Sequence, residues 1–274
     1  MHVKRLIRFL FLLVTLCPLL LKAQCYQGNT AFGDGEVITY TVHYNWGPVW
    51  VNAGQVDFKA KLEKKGDRQL WHLTSSGKTF ASYDMLFKVR DYYETWLDPE
   101  TFQSAGFKRL IYEGGYQLVN TLTFNQKDGK IYSSTKSNNN PVRSDTIKIQ
   151  PCSFDMLAAV YFTRTLDFSN MPMYQKTQVS VIIDDRMYCI WVRPMAREVV
   201  ENNDGKRYNC IKISAKMVEG TIFKGDEDVL VWITADKNQI PVYIEAKILV
   251  GTIKAYLQEA KGLRNPQTAI LKEK

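Results

Sequence analysis

The chain has 274 residues, 45% hydrophobic and 23% charged, with a formal net charge of +8. That length can bury a large core, and apart from its many aromatics the composition is that of an ordinary globular protein. The basic residues are interspersed, and the charge falls to +4 (32 basic against 28 acidic) once Lys4, Arg5, Arg8 and Lys22 are set aside with the leader, which excludes an electrostatic nucleic-acid binder.

The first segment, Met-His-Val-Lys-Arg-Leu-Ile-Arg followed by an apolar run from Phe9 to Leu21, has the n-region and h-region of a secretory signal. The run is short for a membrane span, so the mature chain is not expected to be transmembrane. Leu21-Lys22-Ala23 places cleavage after Ala23: residues 1–23 are signal, 24–264 form a single β-rich domain or two intimately joined β lobes, and 265–274 form a polar tail. The chain is then exported, to the periplasm or the outer envelope. The alternative is a lipoprotein signal with Cys25 lipidated, which requires a small residue where Gln24 stands.

Ile38, Tyr40, Val42, Tyr44 and Trp46 alternate with polar residues, the period of two of a strand with one core face. Gly47-Pro48 breaks it. Further strands follow at 55–62, 69–75, 88–97, 107–112 and 116–124, separated by turns at Lys65-Gly66-Asp67, Asp98-Pro99-Glu100 and Gly114-Gly115. Asp128-Gly129 marks another tight hairpin, and Ser137 to Pro141 a loop tip.

Residues 153–168 carry the one long helical signal. Ser153 is the predicted N-cap. Phe154, Leu157, Ala158, Tyr161 and Phe162 repeat at helical spacing, and Met156, Ala159 and Val160 make the helix apolar nearly all round, hence buried on several sides. Arg164 is its lone cation, expected to reach solvent or pair with a carboxylate; with Asp155 it could instead mark a ligand site.

Strands resume at 176–183, 187–192, 196–201, 207–214, 229–234, 240–247 and 251–257. Short turns between so many strands imply antiparallel pairing. The fold class is mainly β: a large antiparallel barrel, half-open barrel or set of curved sheets around one central buried helix.

Four cysteines survive cleavage, and an exported chain permits disulfides in any of three pairings. Cys25–Cys152 would tie the N-terminal arm to the helix start. Cys189–Cys210 could join neighbouring strands, or both could be small, free, buried residues.

The chain resembles the domain-of-unknown-function family 3108 of exported bacterial proteins. The resemblance rests on Gly35-Glu36, Trp46-Gly47, Ala53-Gly54, Asp91 with Tyr93-Glu94 and Asp98, Glu113-Gly114, the helix residues Asp155, Leu157, Tyr161 and Arg164, then Gly205, Cys210, Trp232-Ile233-Thr234 with Asp236, Ile240-Pro241 and Gly251. It spans about residues 33–260 and departs at Ala105-Gly106, where a proline is expected before Phe107. The Ala23-Gln24 junction is similar to signals of Bacteroides-type bacteria. The resemblance implies no activity. Val-Trp-Ile-Thr-Ala-Asp with Ile-Pro-Val is also similar, at the level of fold, to the periplasmic lipoprotein carriers, whose half-barrel holds acyl chains.

Few chemistries fit. Only His43 and His72 remain after cleavage, with no zinc-ligand spacing, no phosphate loop and no nucleophile elbow, so no metal, cofactor or catalytic set is expected. Asp91 and Glu94 fall on opposite faces of their strand, and Asp184-Asp185 and Asp226-Glu227-Asp228 read as solvated turn carboxylates. The candidate groove residues are Trp46, Trp50, Tyr92, Tyr93, Trp96, Arg164 and Trp232, whose rings could also stack on sugars or pair across strands. The reading is a non-enzymatic envelope protein that binds an apolar or lipid-like ligand in a β-sheet groove. Its alternatives are a solid-cored envelope scaffold that meets a glycan or protein partner, and a glycan-acting hydrolase.

Overall fold

The structure is a computed structural model that describes residues 26–46, 49–216, 228–248 and 251–272. The signal segment, Cys25 with its pairing to Cys152, the side chain of Trp46, and Asp226 and Glu227 with the side chain of Asp228 lie outside this description.

The first half of the chain forms β1 (Glu36–Trp46), β2 (Val49–Lys65), β3 (Arg68–Thr79), the one-turn helix α1 (Asp84–Phe87), β4 (Arg90–Leu97), β5 (Ser104–Glu113), β6 (Tyr116–Asn125), β7 (Lys130–Ser137) and β8 (Arg143–Lys148). After β9 (Ser153–Asp155) and α2 (Met156–Thr163) come β10 (Thr177–Ile183), β11 (Arg186–Glu201), β12 (Arg207–Lys216), β13 (Asp228–Thr234), β14 (Pro241–Lys247) and β15 (Thr252–Lys261). All fifteen strands share one sheet in the order β8-β7-β6-β5-β4-β3-β2-β1-β15-β14-β13-β12-β11-β10-β9. Each half is a meander, and the first and last strands pair at the middle. The sheet curls round α2 without closing, which leaves β8 and β9 as its two edges.

The predicted β fold and its buried helix are therefore present, with corrections. The pairing is not antiparallel throughout: β9 runs parallel to β10, because α2 carries the chain between them. The helix is shorter than 153–168: Ser153–Asp155 spend their backbone on β10, and after Thr163 the chain tightens into a turn, with Arg164 N bonded to the Tyr161 carbonyl and Thr165 N to that of Phe162. Its N-cap is Asp155, not Ser153. The Asp155 carboxylate accepts from Ala158 N at 2.8 Å and from the hydroxyls of Thr95 (2.7 Å) and Ser104 (2.8 Å). Ser153 Oγ is used on Gln150, accepting from its N at 2.9 Å and donating to its carbonyl at 2.5 Å. Likewise 187–192 and 196–201 form one strand, β11, because a bulge at Pro194–Ala196 absorbs the missing N–H.

Around α2 the interior is closely packed. Leu157, Ala158, Ala159, Tyr161 and Phe162 are buried against Leu73, Leu97, Phe107, Leu122 and Ile131 from one half of the sheet and Val179, Val181, Ile211 and Ile233 from the other. Rings interlock: Phe154 stacks on Phe162 at 4.5 Å, and Phe32 meets Tyr161 edge-on at 4.9 Å. Each large side chain so buried contributes about 1.5–3 kcal/mol. Arg164 is 6% exposed and pairs bidentately with Glu36, itself 0% exposed, at 2.6 and 3.0 Å; the Asn238 carbonyl takes a third bond at 3.0 Å.

The C-terminal segment is docked rather than trailing. Ala269 N donates to Asp236, Asn209 N to the Ala269 carbonyl, and Leu271 N to the Arg207 carbonyl. Cys189 and Cys210 are both free. Cys189 lies opposite Ser180 and Cys210 opposite Glu198, nine residues along β11, roughly 30 Å apart at about 3.3 Å per residue. Burial pushes the Cys210 thiol up to about 12.

Candidate functional site

The inner face changes character along the strands. Antiparallel partners directly opposite share a face, so register places Ile213, Val231, Ile244, Ala255, Val42 and Gly54 in one row across β12–β13–β14–β15–β1–β2. Alternation puts this row on the same face as Ile211 and Ile233, which pack against α2. Ile211 and Ile213 are fully buried, but Val231, Ile244, Ala255 and Val42 are only half-buried. One pleat further from the helix, Ala246, Ile253, Tyr44 and Val51 form the next row. Val42, Ile244 and Ile253 join neither of the two core clusters. The site is thus an apolar wall beyond the reach of α2, at the end of the sheet that carries the β1–β2 and β14–β15 turns. Gly54 keeps β2 close to β3 here, because any Cβ would run into the Lys78 carbonyl.

On β4–β7 the inner face makes a different transition. Leu97, Phe107, Leu122 and Ile131 are core at the helix end, and the same faces then present Tyr93, Asp91, Arg109, Glu113, Asn120, Ser133 and Thr135. Asp91 and Glu113 are diagonal neighbours. Burial first, and then the Glu113 carboxylate, push Asp91 up to about 7, although Tyr112 N–H and Arg109 act the other way. Burial also drives the Tyr93 phenol well above its ordinary range. Arg109 pairs with Asp184 and leaves its buried Nε without a partner. One end of the inner surface is therefore amphiphilic, apolar on β12–β1 and polar on β4–β7.

The sequence-predicted groove residues do not converge. Tyr93 and Arg164 are on the inner face, and Arg164 is fully engaged by Glu36. Tyr92 and Trp96 point outward on β4 and Trp50 outward on β2, whereas Trp232, on the outer face of β13, is buried in the second apolar cluster with Tyr208 and Cys210. Among the described tryptophans every outward indole carries a cation: Lys254 over Trp50 at 4.4 Å, Lys212 over Trp232 at 4.7 Å, and Lys176 and Arg193 over Trp191, both at 4.6 Å. Trp96 is sandwiched, with Lys65 Nζ and the parallel His72 ring each 3.9 Å from its centre, necessarily on opposite faces. Trp232, Tyr243 and Tyr256 stack in a row at 4.8 and 4.9 Å. Trp96 and Trp232 thus have partners that leave a sugar ring little platform, whereas Trp50, 43% exposed, has Lys254 over its ring.

The polar pair was missed by sequence reasoning, which tested Asp91 against Glu94 rather than against Glu113 on the next strand. The Asp91 and Glu113 carboxyl groups touch, closer than the roughly 5 Å or more that a glycosidase pair requires. Among the described residues no three His, Cys, Asp or Glu side chains are placed to hold a metal ion, and no helix is long and apolar enough to cross a membrane. A shallow cleft of about 310 Å³ on β6–β8 is lined by Thr121, Thr123, Tyr132 and Ser134 and lies apart from the apolar wall.

No curated protein matches the chain. Among solved structures it is similar to a beta-barrel-like protein of the domain of unknown function DUF1849 from Brucella abortus, with a TM-score of 0.56 and 9% identity over 84% of this chain and 99% of that one. At that identity the likeness shows the fold alone. The profile of the family described as "Protein of unknown function (DUF3108)" matches residues 39–258, most of the strands set out above and both walls of the inner face, and the chain therefore belongs to that family.

Proposed function

We propose that this is an exported, non-enzymatic envelope protein that holds an apolar or lipid-like ligand against the inner face of its sheet, beyond α2. The observation that carries the reading is the set of half-buried apolar side chains at Val42 and Ile244 and, one row on, Ile253, which share a face with the core yet have no part in it. A folded domain gains by covering such a surface, and a ligand with an apolar chain would do so. Its polar end would lie toward Asp91, Tyr93 and Arg109. The basic-then-apolar N-terminus supports export, and Cys25–Cys152 would be formed outside the cytoplasm. Mass spectrometry of the mature N-terminus tests both that and lipidation at Cys25.

A dansyl-labelled fatty acid is the direct probe. The wild type is expected to bind it, and Ile244→Glu to lose at least tenfold in affinity while keeping its β-sheet circular dichroism. Equal binding by the two would overturn the site. A second reading, a solid-cored scaffold for a protein partner, is favoured by the exposed apolar side chains of α1, where Met85 is 95% exposed and Leu86 64%. It predicts no probe binding, and a partner lost on Met85→Asp.

A further inference from the structure

The two edges of the sheet meet along a seam that no backbone ladder closes, and its two ends are built differently. Near α2 the seam is held by β9: Phe154 stacks on Phe162, and the buried Asp155 carboxylate is bonded by Thr95 and Ser104 across from β4 and β5. Away from α2 the polar contacts across it, among the described residues, come from the two-residue β10–β11 turn, Asp184-Asp185, whose carboxylates reach onto the inner face of β5–β8. Asp184 pairs with Arg109. Asp185 accepts from Ser133, from Thr135 at 3.2 Å and from Asn120 at 3.4 Å, and pairs with Arg143 at the start of edge strand β8. These donors and the Arg143 pair hold the Asp185 carboxyl below its ordinary range against the cost of burial. Spacing alone does not mark this contact, because a turn carboxylate reads as solvated until its neighbours are known.

Three features mark this contact as separable. It is made by side chains alone. It is wet at its margins, with Asp184 58% and Arg143 62% exposed, so salt and water compete for its charges. The turn also gives up local stability to make it: both central residues have positive φ, 48° and 65°, where Asn-Gly would be relaxed. Two aspartates there are explained by what their carboxylates hold, not by the turn itself.

We propose that the Asp184-Asp185 turn is a releasable latch on this seam, and that ligand reaches the inner face by passing between β8 and the β10–β11 hairpin when the latch is open. The second half rests on the binding reading above; the first half does not.

Hydrogen exchange, with no ligand present, tests the latch. Asp185→Asn keeps a side chain of the same size and removes the charge. It is expected to speed exchange at least tenfold at 181–188 and 143–147, with α2 and β9 unchanged. Unchanged turn amides, or equal acceleration in α2 and β9, would overturn the latch. The route is tested by Thr135→Cys with Asp185→Cys, which join side chains already in contact. The oxidised protein is expected to take up the dansyl fatty acid at least tenfold more slowly than the reduced protein, with the same final affinity. Equal rates would overturn entry by the seam. If no form binds the probe, the binding reading fails, and the exchange result still decides the latch.

Discussion

The two ends of the inner face are made by the same strands, yet one is finished and the other is not. Beside α2 the inward apolar side chains pack into one core, and the buried guanidinium of Arg164 has its carboxylate in Glu36. Two or three pleats further along, apolar residues of the same parity stand half-buried, and a carboxyl pair sits on the inner wall of β4–β5 with no ion pair to either member among the described residues. The difference is one of supply. A helix of eight residues spans about 12 Å at 1.5 Å per residue, whereas β1, with eleven residues, runs about 36 Å at 3.3 Å each. The helix can fill only part of the curl it occupies.

The comparison can be broken by mutation at either end. The largest effect is expected at the ion pair. Arg164→Leu strands the Glu36 carboxylate in the core and should cost about 3–5 kcal/mol by urea denaturation. Glu36→Leu with Arg164→Leu should recover much of that. Phe162→Ala should cost about 3–5 kcal/mol, whereas Ile244→Ala, on the unfinished wall, should cost only about 1 kcal/mol, a fraction of the range for full burial. Equal costs at Phe162 and Ile244 would show that the wall is packed after all.

A smaller effect is expected at Asp91. Its folded pKa, about 7, lies above the unfolded carboxylate range, so the folded state binds this proton more tightly. The resulting contribution to stability is complete below about pH 4 and is lost as pH rises toward 7. Asp91→Asn should therefore gain on the wild type at pH 8 relative to pH 5, measured by denaturation midpoints at both values. The smallest effect is expected at Tyr161, whose buried hydroxyl has no hydrogen-bond partner. Tyr161→Phe should be neutral or stabilising by up to about 1 kcal/mol, and a clear loss would reveal a partner.

The strands were legible because one face is core and the other wet, which stamps a period of two on β1, β2 and β14. Parity alone also separates inward Tyr93 from outward Tyr92 and Trp96. The start of the helix is not legible because Phe154 and Asp155 suit helix and strand equally, and pairing with Val181 and Ile182 decides between them. Pro194 read as a break because a bulge leaves no mark in composition. For Arg164 the sequence leaves solvent or a carboxylate open, and nothing in it singles out Glu36, 128 residues away. Asp91–Glu113 depends on the register of the β4–β5 hairpin, in which Glu113 falls diagonal to Asp91, whereas the reach of Asp184-Asp185 depends on which strands become neighbours when the sheet curls.

Native mass spectrometry of the mature protein purified from envelope extracts without detergent exchange tests the central claim most directly. The account predicts adducts of lipid-like mass on the wild type, lost in Ile244→Glu and retained in the outer-face variant Tyr256→Glu. A wild type that carries no adduct and also fails to bind the dansyl fatty acid would contradict it.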